Sequence, residues 1–235
     1  MPWRVATVAA VVHETPSAAT LVFDVADWPG HRPGQHVDVR LTAEDGYTAQ
    51  RSYSIASPPE DGQLSITVER LLDGEVSPYL VKEVQPGDSV EIRGPIGGWF
   101  VWEADQGGPL LLAGGGSGIV PLMAMLRHRQ RVGSDVPVRL LLSAQRPSAV
   151  IYAAELQRIG ADLTITYTRE APEGWRGPTG RVSRDLLERT AWSPAESPRI
   201  FVCGPSGFVE AVAQELMELG HPSARIRTER FGATG

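Results

Sequence analysis

A single cysteine, Cys203, occurs in 235 residues. That excludes an internal disulfide, and it excludes a zinc cage or a chain-encoded iron–sulfur cluster, which take about four Cys or Cys/His ligands. Any redox chemistry here would need an organic cofactor. Basic residues are also short: 22 Lys and Arg against 28 Asp and Glu leave a net charge of −6 and no basic stripe for a nucleic acid. Long apolar runs are missing, so no membrane span is expected, and the opening MPWRVATVAAVV has no signal-peptide core. The expectation is a soluble, cytoplasmic protein without repeats or low-complexity tracts.

Two textures of sequence meet near residue 105. Up to Trp102, short alternating or β-branched segments (WRVATVAAVV, AATLVFDV, QHVDVRL, QRSYSIAS, LSITVERL, DSVEIRG) are separated by turn formers such as DWPGHRPG and PPEDG. That pattern predicts an antiparallel barrel or sandwich. From Gly107 onward, apolar segments (PLLLA, VPVRLLLS, DLTITYT, PRIFVCG) alternate with helical patterns, the signature of a parallel sheet with crossover helices. One helix should present Ile119, Leu122, Met123 and Leu126 on a single face. Another should present Phe208, Val212, Leu216 and Leu219 before Gly220 stops it. The linker WEADQGG marks the boundary.

Between the first apolar strand and its helix stands LLLAGGGSGIVP, residues 110–121. Bare backbone N–H groups at a helix N-terminus form an anion site that suits a diphosphate, and Pro121 suits the first turn. The segment lacks a Gly-Lys-Ser/Thr ending and does not complete G-x-G-x-x-G, so neither the NTPase phosphate loop nor the dinucleotide fingerprint applies. A tight turn with no ligand is the alternative. The next strand ends LLLSAQR without the acidic residue that would hold a ribose 2′-hydroxyl. Ser143 and Arg146, with Arg169 in TYTRE and Arg181 in GPTGRV, could instead grip a 2′-phosphate; the plain alternative is three solvated arginines.

In the first half, QRSYSIAS places Arg51 and Tyr53 on one face by period-two alternation, with Ser54 on the other. A guanidinium there can hold a phosphate while the neighbouring phenol lies against an aromatic ring. In GEVSPYL, Gly74 precedes Val76 and Ser77, and Ser77 is expected to cap a short helix whose open amides take a second phosphate oxygen. Read as structure alone, these are a good strand and a capped turn.

In their order, RSYS, GEVS, GPIG, AGGGSGIVP, CGPSGF and the terminal ERF resemble the flavin-dependent ferredoxin–NADP(+) reductase family across nearly the whole chain. The resemblance implies an antiparallel FAD-binding β-barrel over residues 1–103 followed by a parallel-sheet α/β NAD(P)-binding domain over residues 104–235. It implies FAD contacts from Arg51, Ser52, Tyr53, Ser54, Val68, Arg70, Gly74, Val76, Ser77 and Phe231. It places NADP(H) at Gly115, Gly116, Ser117, Gly118, Ser143, Arg146, Arg169, Arg181, Cys203, Gly204 and Pro205. Ser54 near the flavin, Cys203 near the nicotinamide and Glu229 near the ring would take the catalytic positions, with no metal. The tail departs from plant-type relatives: four residues follow Phe231, where those relatives end on a tyrosine stacked on the flavin.

Without a cluster or a globin of its own, the chain resembles the minimal two-domain form, a monomer passing electrons from NADPH through FAD to a separate ferredoxin or flavodoxin. An NADH-dependent reductase component of an oxygenase, or a free-flavin reductase, is the second reading. A non-catalytic flavin- or nucleotide-binding regulator is the third. A strongly acidic carrier would need Arg32, Arg40, Arg70 and Arg93 to gather into a basic face.

Overall fold

The computed structural model describes residues 1–231, and its strands form two sheets. The first contains β1 (Arg4–Thr15), β2 (Ala18–Val25), β3 (His36–Thr42), β4 (Thr48–Ser54), β5 (Leu64–Glu69) and β6 (Ser89–Ile96), with the short helix α1 (Ser77–Lys82) between the last two. All pairings are antiparallel in the order β4-β3-β6-β1-β2-β5, and a bridge between Ile55 and Ile66 joins the two edges. The sheet is therefore a closed barrel rather than a sandwich, which removes exposed strand edges. Alternation sends Leu21 and Phe23, Val37 and Val39, and Ile66 and Val68 inward, and α1 adds Leu80 and Val81 to the same core.

The second sheet contains β7 (Leu110–Gly115), β8 (Val138–Ala144), β9 (Asp162–Tyr167), β10 (Arg199–Pro205) and β11 (Ile226–Phe231). The helices α2 (Ile119–Arg131), α3 (Ala153–Leu156), α4 (Arg184–Thr190) and α5 (Ser206–Glu218) lie between them. Every pairing is parallel, in the order β11-β10-β7-β8-β9. The chain steps outward from β7 through β8 to β9, then crosses back to place β10 on the other side of β7. The order reverses between β7 and β10, and a crevice opens at the carboxyl ends of such strands.

The glycine-led helix α2 differs from the expectation of a single apolar face. All of Ile119–Leu126 is buried. One side packs on the parallel sheet and the other meets Ala18, Ala56, Phe100 and Trp102, so one apolar cluster runs through both halves. Trp102, at the start of the predicted linker, is fully buried, its ring edge-on to His128 at 5.7 Å.

Polar contacts fasten the same seam through Ala56, Thr67, Glu60 and Asp61, with Glu155 and Tyr152 steadying Arg127 from its own half. Arg127 on α2 donates to Glu155 at 2.8 and 2.5 Å and to the Ala56 carbonyl at 2.7 Å, while its guanidinium lies 4.5 Å from the Tyr152 ring. Tyr152 is buried, and its hydroxyl hydrogen-bonds that of Thr67; Thr67 meets Thr20 at 2.7 Å, and Thr20 donates to Glu14 at 2.7 Å. His128 and Glu60 meet at 2.7 Å, and Arg131 and Asp61 at 2.8 Å. Among the described residues, no helix is long and apolar enough to cross a membrane.

Candidate functional site

The glycines of residues 114–118 are largely answered by the protein itself. Gly118 has helical φ and ψ of −58° and −14°, which any residue can adopt, yet a Cβ there would run into the Cys203 carbonyl. At Gly115 a Cβ would stand 2.9 Å from the Phe208 ring, and at Gly114 it would stand 3.2 Å from Leu122. Gly115 and Gly118 let β7 and the start of α2 press against α5 and β10 at the strand-order reversal, and Gly114 lets α2 fold back onto β7. Gly116 and Ser117 alone in the run reach the surface. Gly116 has φ +55°, a conformation glycine adopts without strain.

That reversal point gathers much of the expected chemistry. The first turn of α2 follows Gly118, and α5 begins at Ser206, directly after Cys203, Gly204 and Pro205. Two helix N-termini therefore converge where a diphosphate is favoured. Cys203 and Glu229 are register partners on β10 and β11, and the thiol lies 3.9 Å from Glu229 Oε2. On the other side of the seam, His36 Nδ1 stands 3.8 Å from Glu229 Oε1. His36 in turn pairs across β3 and β4 with Ser54. Ser54, Cys203 and Glu229, separated by up to 175 positions in the chain, are thus linked through His36.

Burial sets the charges in this group. It pushes the Glu229 carboxyl up to about 7, against a smaller opposing effect of its hydrogen bond with Cys203. Burial also raises the Cys203 thiol, and the neighbouring carboxylate raises it further, so it stays protonated. His36 is lowered by burial, which outweighs the pull of Asp38. At neutral pH its contact with Glu229 is therefore not a full ion pair. Phe231 is half-buried against the cluster that holds Phe201 and Cys203.

On the barrel, Arg51 is exposed, donates to the Gln50 carbonyl at 2.7 Å and lies 3.6 Å from Glu75. Tyr53 packs against the barrel core, and burial pushes its phenol up, well clear of neutral pH. Ser52 points to the opposite side and donates to Asp38 at 2.6 Å, in a network with Arg93. Val68 is fully buried in the barrel core, which leaves only its backbone for a ligand. The expected cap at Ser77 is not formed. Val76 occupies the cap position without a side-chain bond, and the Ser77 hydroxyl accepts from Leu71 N–H at 3.0 Å, folded back beside Gly74. A helix entered from the turn at residues 71–74 draws that hydroxyl away from its own amides.

Arg70 makes no ion pair among the described residues, and its Nε is buried without a hydrogen-bond partner. A buried guanidinium nitrogen left unanswered fits a phosphate. The four arginines considered for a basic face do not supply one. Arg40 pairs with Glu91 at 2.6 Å, Arg93 with Asp38 at 2.6 Å and Arg32 with Glu103 at 3.7 Å, leaving only Arg70 without a carboxylate.

At the carboxyl ends of β8 and β9, Ser143 is buried, whereas Arg146, Arg169 and Arg181 are exposed. Arg169 N–H donates to the Gln145 carbonyl at 3.0 Å, and Gly180 N–H donates to Tyr167 at 2.8 Å, so all three arginines sit at one end of the sheet. Arg146 lies 3.9 Å from Glu170. Sequence reasoning missed His36, Phe208 and Glu69. Each belongs to a strand or helix pattern in the sequence; the meeting of the two halves gives His36 and Glu69 their place, and the packing of α5 on Gly115 gives Phe208 its own.

Known proteins are similar to this chain in sequence and in fold. Residues 6–101 match the family described as "Oxidoreductase FAD-binding domain", and residues 112–214 match "Oxidoreductase NAD-binding domain". The chain is 35% identical over 237 residues to the glycine betaine monooxygenase reductase subunit of Chromohalobacter salexigens, covering 95% of this chain and 63% of the relative. It is 33% identical over 236 residues to the ferredoxin reductase component of 3-ketosteroid-9-alpha-monooxygenase from Rhodococcus rhodochrous, covering 97% and 64%. It therefore spans just under two thirds of the length of these relatives. Among solved structures, the FAD/NAD-binding domain of nitric oxide dioxygenase from Vibrio cholerae is similar with a TM-score of 0.86 at 26% identity, covering 98% of this chain and 99% of that one. A ferredoxin NADP+ reductase from Neisseria gonorrhoeae shares the fold with a TM-score of 0.81 at 23% identity, covering 98% and 99%.

Proposed function

We propose, from the premise that this chain belongs to the ferredoxin reductase-type oxidoreductases that join an FAD-binding domain to an NAD-binding domain, that it transfers electrons from NADPH through FAD to a separate one-electron carrier. The observation that carries this reading is the meeting of the two halves. His36 of the barrel, the register partner of Ser54, lies 3.8 Å from Glu229, which neighbours Cys203 on the parallel sheet, beside the N-termini of α2 and α5. Residues 1–103 would hold the FAD and residues 104–235 the nicotinamide coenzyme.

Bound FAD would supply the two-electron to one-electron conversion that a hydride donor and a single-electron carrier together require. Arg70 and Arg51 would hold its diphosphate, and Tyr53 would lie against its ring system, held neutral by burial. Gly116, Ser117 and the start of α5 would take the coenzyme's diphosphate. The fully buried Cys203 and the adjoining Gly204 would form the wall against the nicotinamide. Oxidation of one NADPH by two one-electron carriers yields NADP+, two reduced carriers and one proton. Glu229, titrating at about 7, is placed to hold a proton beside the Cys203 thiol.

Ser143, Arg146, Arg169 and Arg181 support NADPH as the coenzyme, because that strand end offers three cations to a 2′-phosphate. The carrier is read as a ferredoxin, a flavodoxin or an oxygenase component. The oxygenase component stands among these because two relatives carry monooxygenase reductase names. The deciding experiment is anaerobic addition of NADPH, and separately NADH, to the purified yellow protein. Rapid bleaching of the flavin absorbance by NADPH supports the reading. A colourless folded protein, or a flavin that neither coenzyme bleaches, defeats it.

A further inference from the structure

One carboxylate stands where the coenzyme's diphosphate is expected. Glu69 ends β5 on the barrel side of the seam, and its Oε2 lies 3.7 Å from where a Cβ on Gly116 would be. The strand end is held by backbone bonds: Glu69 pairs with Ala18, and Arg70 N–H donates to the Ser17 carbonyl at 2.8 Å. Glu69 is half-buried and makes no ion pair among the described residues, not even with the adjacent Arg70. What it meets is the partly exposed corner of the glycine turn, ahead of the thirteen-residue helix α2, whose N-terminus attracts negative charge.

We infer that Glu69 is an affinity-setting residue that opposes the coenzyme's diphosphate at the glycine turn. This rests on the reading above. An anion on Gly116 and Ser117 must either displace the carboxylate or tolerate a like charge a few ångströms away, in a seam where water screens incompletely. The penalty falls on the diphosphate, which the reduced and oxidised coenzymes share. Glu69 therefore weakens both alike and hastens departure of the spent coenzyme. The nearby Gly116 cannot relieve the repulsion, having no side chain to interpose.

The test titrates FAD-loaded wild type, Glu69→Gln and Glu69→Asp with NADP+ and, separately, with inorganic pyrophosphate, at low and at high salt. Glu69→Gln keeps the size of the side chain and removes its charge. It should bind NADP+ about tenfold more tightly than wild type at low ionic strength, with the gain shrinking toward unity near 1 M salt, where the screening length falls to about 3 Å. Pyrophosphate should follow the same order, and Glu69→Asp should remain near wild type. Tighter binding is an outcome that general damage to the fold does not produce. Equal or weaker NADP+ binding by Glu69→Gln, or a gain that salt leaves untouched, overturns the inference. Bleaching of the wild-type flavin by NADPH is read independently, so failure at Glu69 is distinct from failure of the proposed function.

Discussion

Gly118 and the carbonyl of Cys203 press together at the strand-order reversal, with no room between them for a methyl group. The glycine is there because two backbones cross, not because its dihedral angles demand it. Gly118→Ala should therefore destabilise the protein by about 1–3 kcal/mol, the usual cost of forcing an atom into a packed core. Gly207→Ala is the control. It lies in α5 with nothing within 4 Å of the added Cβ, and should stabilise by roughly 0.5–1 kcal/mol through helix propensity. Urea unfolding of both variants without coenzyme checks the pair; equal stabilities would mean that the crossing tolerates a side chain.

This contact also shows what the sequence could and could not disclose. Strands with period-two or β-branched patterns, and helices after each apolar strand, were readable because each depends on residues close in sequence. The glycine run was readable as a close approach, but the approaching group was not. Gly118 meets Cys203, 85 positions away, and Gly115 meets Phe208. The Ser77 cap failed for a similar reason, since the preceding turn offers Leu71 N–H as a donor to that hydroxyl. His36 had no signal of its own. Its importance arises only when the end of β3 meets Glu229 on β11.

Arg70 separates ligand binding from stability. With Nε buried and unanswered, Arg70→Ala should leave the FAD-free protein as stable as wild type, or more stable by up to about 1 kcal/mol. The same change should weaken FAD by on the order of 2 kcal/mol, about thirtyfold, if the guanidinium holds a phosphate. Fluorescence titration of the FAD-free protein measures the second effect, and thermal unfolding the first. Loss of stability without loss of FAD affinity would make Arg70 a structural residue.

Glu229 gives the protein a pH signature with a definite sign. Its folded-state value of about 7 lies above the ordinary carboxyl value of about 4.3. The stability it contributes is full below pH 4, falls as pH rises through 7, and is gone above that. Its side chain is 21% exposed, so the full effect is at most about 3 kcal/mol. Glu229→Gln should thus gain on wild type between pH 5 and pH 8. Urea midpoints at each pH for both proteins provide the comparison, and a difference that stays constant across that range would refute the buried-acid account.

The seam contacts predict that the two halves unfold together. Arg127→Ala removes one bond across the seam, to the Ala56 carbonyl, together with two bonds to Glu155 and the contact with Tyr152 inside its own half, and should cost about 2–4 kcal/mol. Tyr152→Phe keeps the ring under Arg127 and loses only the bond to Thr67, for about 1 kcal/mol. If calorimetry shows Arg127→Ala melting as one transition at the wild-type temperature, the seam is not a source of stability.

The proposed preference for NADPH would depend on a competition at the end of β8. Arg146 is exposed and already lies 3.9 Å from Glu170, so a 2′-phosphate must outbid a carboxylate for its guanidinium. A dianionic phosphate accepting charge-assisted bonds from Arg146, with Arg169 and Arg181 at the same strand ends, should prevail over one solvated carboxylate. Arg146→Ala should then weaken NADPH by on the order of 2 kcal/mol and leave NADH nearly unchanged. Glu170→Gln should act in the opposite direction, favouring NADPH a few-fold, because it frees the same guanidinium without touching the groups both coenzymes share. Stopped-flow flavin reduction with both coenzymes, on wild type and the two variants, reads these effects as concentration dependence. A wild type that prefers NADH, together with an Arg146→Ala variant that loses both coenzymes equally, would show that Arg146 serves Glu170 and the solvent rather than a phosphate.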